Sequence, residues 1–349
     1  MHAAGQVVSV KMLIKTKVGE RESENANDKV QRELDMHEAL DATTSRLNAL
    51  LPKDIRVFGI KRTSNSFHAK ERCDSRFYEY LLPSYVFAPT SSEPYSNPIP
   101  NPFEDRSTSN LRVELNKKKS EGNGNSDDEA EILERQESET PVTGWTCKLT
   151  EEEILLTQSY RIDNLRLERL RKFMQNYEGS KIHHNFTIGK DALDPSSRRN
   201  IFSVTVSDPF IRNEIEWISI VFHGQSFMLH QIRKMVGLAI LSIRLECDDN
   251  ALLERCFRRD KVNIPKAPAL GLLLDKAVFT SYNKRFVEEK ETLDFDEFQE
   301  VRQRLKDELI YPKILEEEHQ YYRFMGWLKC NDEHASEFSF LVPFIKKGS

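Results

Sequence analysis

Arg233 is the residue of this chain best placed to do chemistry. It lies in the run Phe227-Met228-Leu229-His230-Gln231-Ile232-Arg233-Lys234-Met235-Val236-Gly237. There Leu229, Ile232, Val236 and Ile240 recur at helical spacing and would share one buried stripe. A guanidinium keeps its charge when buried, so beside such a stripe it needs a carboxylate or a phosphate facing it. The helix therefore reads as the wall of an anionic site. Metal chemistry has no such support. The five cysteines, Cys73, Cys147, Cys247, Cys256 and Cys330, are scattered and odd in number. No pair has zinc-site spacing, and the usage suits a reducing compartment rather than a disulfide framework.

The elements that must position Arg233 can be read on both sides of it. Residues 6–13 (Gln6-Val7-Val8-Ser9-Val10-Lys11-Met12-Leu13) and 54–61 alternate as strands, and Arg76-Phe77-Tyr78-Glu79-Tyr80-Leu81-Leu82 is a third. Residues 33–51 read as a helix ended by Pro52. Further on, 164–177 is an amphipathic helix carrying Leu165, Leu167, Leu170, Phe173 and Met174, followed by strands at 200–207 and 215–223. After the Arg233 helix come a helix at 250–258, a loop with Pro265 and Pro268, a segment at 270–278, and a charged helical stretch at 293–315. This order implies an α+β protein of two halves meeting at a cleft, with a charged helical C-terminal stretch.

The net charge of −5 is unevenly spread. The segment from Pro89 to Thr150 holds twelve Asp/Glu and seven Lys/Arg, leaving 44 of each sign elsewhere. Its prolines, its Lys117-Lys118-Lys119 cluster and its acidic run from Asp127 carry few large apolar residues, so ordering it would not be repaid by burial. It reads as a disordered acidic insertion between folded halves. Lys117 to Lys119 suit either a nuclear-import signal or a solvated charge cluster. The expected division is 1–88, an N-terminal half; 89–145, the insertion; 146–285, a C-terminal half; and 286–349, the extension. No apolar run approaches the length of a membrane span.

Seven motifs, in order, resemble the TruA-type tRNA pseudouridine synthases, most closely the eukaryotic nuclear members. They are His2-Ala3-Ala4-Gly5-Gln6-Val7-Val8-Ser9, Leu51-Pro52-Lys53-Asp54-Ile55-Arg56, Phe67-His68-Ala69-Lys70, Tyr78-Glu79-Tyr80, Tyr177-Glu178-Gly179 with His184-Asn185-Phe186-Thr187, the Arg233 run, and Ala267-Pro268-Ala269-Leu270-Gly271-Leu272. The acidic insertion is similar to one in eukaryotic members, and the resemblance implies an α+β fold of two pseudouridine-synthase halves with antiparallel sheets meeting at a central cleft, helices on the outer faces, and a charged helical C-terminal extension, with 1–88 the remainder of the N-terminal catalytic half. In the family, the His-Ala-Ala-Gly-Gln run follows Arg-Thr-Asp-Lys-Gly plus one residue, and that aspartate is the catalytic nucleophile. Met1 stands directly before His2 here. The resemblance thus implies a sequence begun part-way through its first domain, whether as a short isoform or through a misassigned start, and inactive as written.

The reaction implied is isomerisation of uridine to pseudouridine in tRNA, with mRNA and other structured RNA as further candidate partners and no cofactor, metal or membrane. A base inside folded RNA is out of reach, so it must be flipped out. Tyr78 would stack on the flipped uracil and take part in removing the C5 proton, and Arg233 would pair with the catalytic aspartate. Leu270 would line the uracil pocket. His68 and Lys70 would contact phosphate or ribose, and His184, with His183, would belong to a cleft loop. Arg198 and Arg199, with Lys181, Lys190 and Lys234, would dock the RNA backbone from the cleft rim. Each has a structural alternative: core packing for Tyr78 and Leu270, snorkelling from a surface helix for Arg233, helix capping or surface exposure for His68 and Lys70, a structural role for His183 and His184, and simple solvation for Arg198-Arg199. The resemblance implies a nuclear protein, with the mitochondrion as a second compartment. The alternative function is a non-catalytic short form that binds RNA.

Overall fold

Apolar runs punctuated by Gly, Pro and charged turns become strands, and apolar residues at period 3.6 become helices. The computed structural model describes residues 2–14, 26–90, 95, 149–286 and 290–346. Its strands are β1 (His2–Ala3), β2 (Ser75–Pro83), β3 (Gly179–Ile182), β4 (Arg198–Val206), β5 (Phe210–Arg212), β6 (Ile215–Gly224) and β7 (Leu272–Val278). Its helices are α1 (Ala26–Leu50), α2 (Glu151–Ser159), α3 (Asn164–Gln175), α4 (Gln231–Arg244), α5 (Asp249–Phe257), α6 (Thr280–Phe286), α7 (Gln299–Leu305), α8 (Tyr311–Tyr321) and α9 (Arg323–Glu333). The class is mixed α+β. The insertion expected at 89–145, with Lys117 to Lys119, lies outside the described residues except for 89, 90 and 95. Among the described residues no helix is long and apolar enough to cross a membrane, and no three His, Cys, Asp or Glu side chains are grouped to hold a metal.

The chain divides into two compact units, Met1–Tyr78 with Leu273–Lys313, and Glu79–Leu272 with Ile314–Ser349. In the first, β1 runs parallel to β7, pairing His2 with Leu273 and Ala3 with Leu274, an exception to the antiparallel pairing expected. Phe67 packs against Phe279 and Tyr282, and Lys276 lies over the Phe77 ring. The strand expected at 6–13 does not form beyond Ala3. Val8, Val10 and Leu13 are 72%, 65% and 91% exposed, so the alternation there has no core to face. The strand expected at 54–61 is also irregular. Asn48 of α1 does the work of a neighbouring strand: its amide donates to the Val57 carbonyl at 2.9 Å and accepts from the Val57 N–H at 2.8 Å. The charged helix expected at 293–315 is interrupted by one π turn at Lys306–Ile310. Pro312 has no N–H to continue the ladder, and the Tyr311 N–H reaches back to Lys306. Lys306 donates to Asp275 at 3.0 Å, with Arg302 at 3.8 Å.

In the second unit β4 is antiparallel to both β3 and β6, β5 is antiparallel to β6, and the strand order runs β6-β4-β3. Trp217, Ile218, Ile220 and Phe222 of β6 are buried. So are Leu167, Leu170, Phe173 and Met174 of α3, four of the five apolar residues expected there, whereas Leu165 is 82% exposed. Near the C-terminus Glu318 of α8 is fully buried. It accepts from the Tyr85 hydroxyl and from the Phe324 N–H that opens α9. Burial pushes its carboxyl up to about 8, against those hydrogen bonds and the nearby Arg323 charge, all of which favour the anion.

A folded-state pKa raised above the ordinary 4.5 means that this group's stabilising contribution is complete below pH 4.5 and is lost as pH rises through 8. Glu318→Gln, a neutral isostere, should remove that loss. The melting-temperature advantage of the variant should widen by roughly 4–8 °C between pH 5 and pH 8.5. Parallel pH profiles for the two proteins would show that Glu318 does not titrate in this window.

Candidate active site

Helix α4 is enclosed nearly all round: the structure buries every residue of it except Arg233 and Arg244. Its ends are tied down chemically. At the C-terminus Arg169 forks onto Asp249 at 2.6 and 2.7 Å and donates to the Ser242 and Cys247 carbonyls, a cation where the helix dipole favours one. Arg244 pairs with Asp332 of α9 at 2.6 and 2.8 Å. At the N-terminus Gln231 accepts from the Met228 N–H, and His230 takes a left-handed conformation with φ 60°. Midway, the Tyr177 hydroxyl donates to the Met235 carbonyl at 3.0 Å. Arg233 thus projects from a fixed scaffold.

The loop from Pro265 to Gly271 closes over this part of α4. Arg233 donates through Nε to the Ala267 carbonyl at 2.7 Å, and the Ala267 N–H donates to the Arg233 carbonyl at 3.1 Å. The Tyr80 hydroxyl donates to the Pro268 carbonyl at 2.6 Å. Burial holds that phenol well above its ordinary pKa, and the charge of Arg233 pulls it the other way. Two glycines permit the closure. A Cβ on Gly237 would overlap the Pro265 carbonyl oxygen, and one on Gly271 would overlap that of Leu81. Leu270, half-buried, rides on this loop. Arg233 and the Leu270 loop are therefore one construction, with the guanidinium anchored at Nε on the Ala267 carbonyl and Nη1 3.5 Å from His230 Nδ1.

The remaining expected residues fall elsewhere. Arg198 and Arg199 open β4, opposite Ile182 and Lys181 of β3. Arg198 is exposed and Arg199 half-buried. His183 is buried edge-on to Phe186 and Phe257, and burial lowers its pKa to about 4, so it serves packing. His184 is also fully buried but lines a pocket of about 490 Å³ with Asn185, Thr187, Lys234 and Lys261. Lys234, expected at an exposed rim, is only 7% exposed, because α4 is enclosed all round. Lys190 is held by Asp194 at 3.0 Å. Tyr78, His68 and Lys70 belong to the first unit. Tyr78 is half-buried on β2, and His68 and Lys70 lie exposed in a turn where His68 approaches Glu71 at 4.0 Å. Lys261 was not singled out from sequence. It follows α5 in a loop, and nothing in its local pattern marks it.

A family model described as tRNA pseudouridine synthase matches residues 173–280, the segment that carries His184, Arg198, Arg199, Arg233 and Leu270. The tRNA pseudouridine synthase 1 of Yarrowia lipolytica is 36% identical over 371 residues, covering 98% of this chain and 65% of that protein. The tRNA pseudouridine synthase 1 of Schizosaccharomyces pombe is 30% identical, covering 98% of this chain and 73% of its own length. The chain belongs to the tRNA pseudouridine synthase family. A pseudouridylate synthase 1 homolog of Mus musculus is 29% identical over 99% of this chain and 64% of its own length. The chain spans just under two thirds of the Yarrowia synthase and 56% of the tRNA pseudouridine synthase 1 of Candida albicans. The match to the Yarrowia synthase covers 98% of this chain, whereas the family model covers residues 173–280 alone.

Proposed function

We propose that this chain provides the base-holding and RNA-gripping parts of a tRNA pseudouridine synthase. The observation that carries the proposal is Arg233, the single half-buried cation in the first turns of an otherwise buried helix, with Nε fixed on Ala267. A guanidinium oriented in this way can present a planar edge to a carboxylate. In the reaction the uridine N-glycosidic bond breaks, the base turns, and a bond forms from C5 to the sugar. The C5 proton then leaves while N1 gains one. Arg233 would hold the catalytic carboxylate ionised and oriented. Tyr78 would stack on the extruded uracil and serve in the C5 proton transfer, and Leu270 would border the base. Arg198 and Arg199, and His68 and Lys70, would meet phosphate or ribose, recognising shape more than sequence.

The second reading is RNA binding without turnover. In a gel-shift assay the 349-residue protein should bind tRNA more tightly than about 10⁻⁶ M at physiological salt, beyond the usual non-specific range. Under the second reading the same protein releases no tritium from tRNA labelled at uridine C5. A folded protein that ignores tRNA would defeat the first reading. Tritium release at a synthase-like rate would defeat the second.

A further inference from the structure

The pocket beside α4 is built for an anion. Lys234 reaches into it from the helix, donating to the carbonyls of Thr187 at 3.0 Å and Asn185 at 3.3 Å. An ammonium has three donors, and the third has no acceptor among the described residues. The charges acting on Lys234 are those of Lys266 and Lys261, both repulsive, and burial together with them lowers its pKa to about 8. It is therefore still largely cationic at neutral pH, an enclosed positive charge with no carboxylate opposite. His184, fully buried on the same lining, has two ring nitrogens without a completed hydrogen bond, although the backbone of Arg259 and Asp260 faces the ring.

The wall is rigid. Asn185 donates to the Cys256 and Asp260 carbonyls at 2.9 and 3.0 Å and accepts from the Val262 N–H at 3.1 Å. This fixes the loop that carries Lys261. Thr187 is anchored through its hydroxyl to the Leu229 carbonyl. The nearby acids are occupied: Asp194 by Lys190 and Asp260 by Arg255, while Asp191 accepts from the N–H groups of Leu193 and Asp194. No acidic side chain lines the pocket.

We propose that Lys234, Lys261 and His184 form a subsite for one phosphate group of the bound RNA backbone, on a part of α4 separate from Arg233. The proposal rests on the RNA-binding reading above. A pocket of about 490 Å³ admits a phosphate together with its attached ribose, and lysines meet phosphate as point charges. A free phosphate has the same chemistry as the backbone group, so the test separates the two.

Binding of tRNA to the 349-residue protein should be measured over a series of salt concentrations for wild type, Lys261→Ala and Lys234→Met. Lys261 is exposed, so its variant should fold even if Lys234→Met does not. Lys261→Ala should weaken binding about three- to tenfold at physiological salt and reduce the log–log salt slope by about 0.7 to 0.9, the value for one phosphate contact. Lys234→Met, where its melting curve matches wild type, should do the same. In a parallel arm, inorganic phosphate is titrated against the melting temperature. Stabilisation of wild type by phosphate, with tRNA affinity and slope unchanged in both variants, would make this a free-phosphate site and overturn the assignment to RNA. A wild type that binds tRNA with a slope indifferent to both substitutions would overturn it as well. A wild type that binds no tRNA would sink the RNA-binding reading itself and this subsite with it.

Discussion

Gly271→Ala is expected to lower the melting temperature of the protein by roughly 6–12 °C, the equivalent of about 3 kcal/mol. The new methyl would overlap the Leu81 carbonyl oxygen, with the Tyr80 ring also close. Both neighbours are buried and cannot turn aside: Leu81 is 1% exposed, and the Tyr80 hydroxyl is tied to Pro268. The loop must therefore lift from β2, which would also disturb the Ala267 carbonyl that orients Arg233. Gly179→Ala is the matched control. That glycine has φ 89° and no neighbour within 4 Å of an added Cβ, so only the backbone penalty of about 1–2 kcal/mol applies. Thermal melts of the two variants check the comparison. Equal losses would mean that close approach at Gly271 is not what holds the loop.

The second large effect is expected at Arg233. Under the proposed function a carboxylate lies beside the base, and the effect is read in a chimera that carries a family-derived Arg-Thr-Asp-Lys-Gly segment ahead of His2. Arg233→Leu should slow tritium release by about 10²–10³, as removal of a preorganised charge partner does elsewhere. Its tRNA affinity should change less than tenfold, since under the proposed function Arg233 faces the catalytic carboxylate and not a phosphate of the RNA. Arg233→Lys should recover little. An ammonium cannot hold the Ala267 carbonyl along one edge and present a planar fork along the other.

The sequence made the helix around Arg233 readable because its apolar residues recur at 3.6, and β2, β4 and β6 were readable from β-branched and aromatic runs. It also carried a signal that went unused: Thr150 and Glu153 form a capping box at the start of α2, a pattern visible in the residues alone. The misread strands have physical causes. At 6–13 the alternation was real, but an apolar stripe does not say whether a core lies opposite. At 54–61 a single side chain, Asn48, satisfies the backbone that a neighbouring strand would have paired. Lys234 was assigned to a rim because lysine is usually exposed; Met235, Val236, Leu238 and Ile240 around it mark instead a helix enclosed on every side. Lys261 and the two close-approach glycines depend on where the loop after α5 returns, and no local pattern encodes that.

The most direct measurement is tritium release from C5-labelled uridine tRNA by the chimera and by its Arg233→Leu form, at matched protein folding and with tRNA bound. The expected result is release by the first and loss of most of that rate in the second. Equal rates in the two, or a folded, tRNA-bound chimera that releases nothing, would show that α4 and its arginine do not serve the isomerisation of uridine.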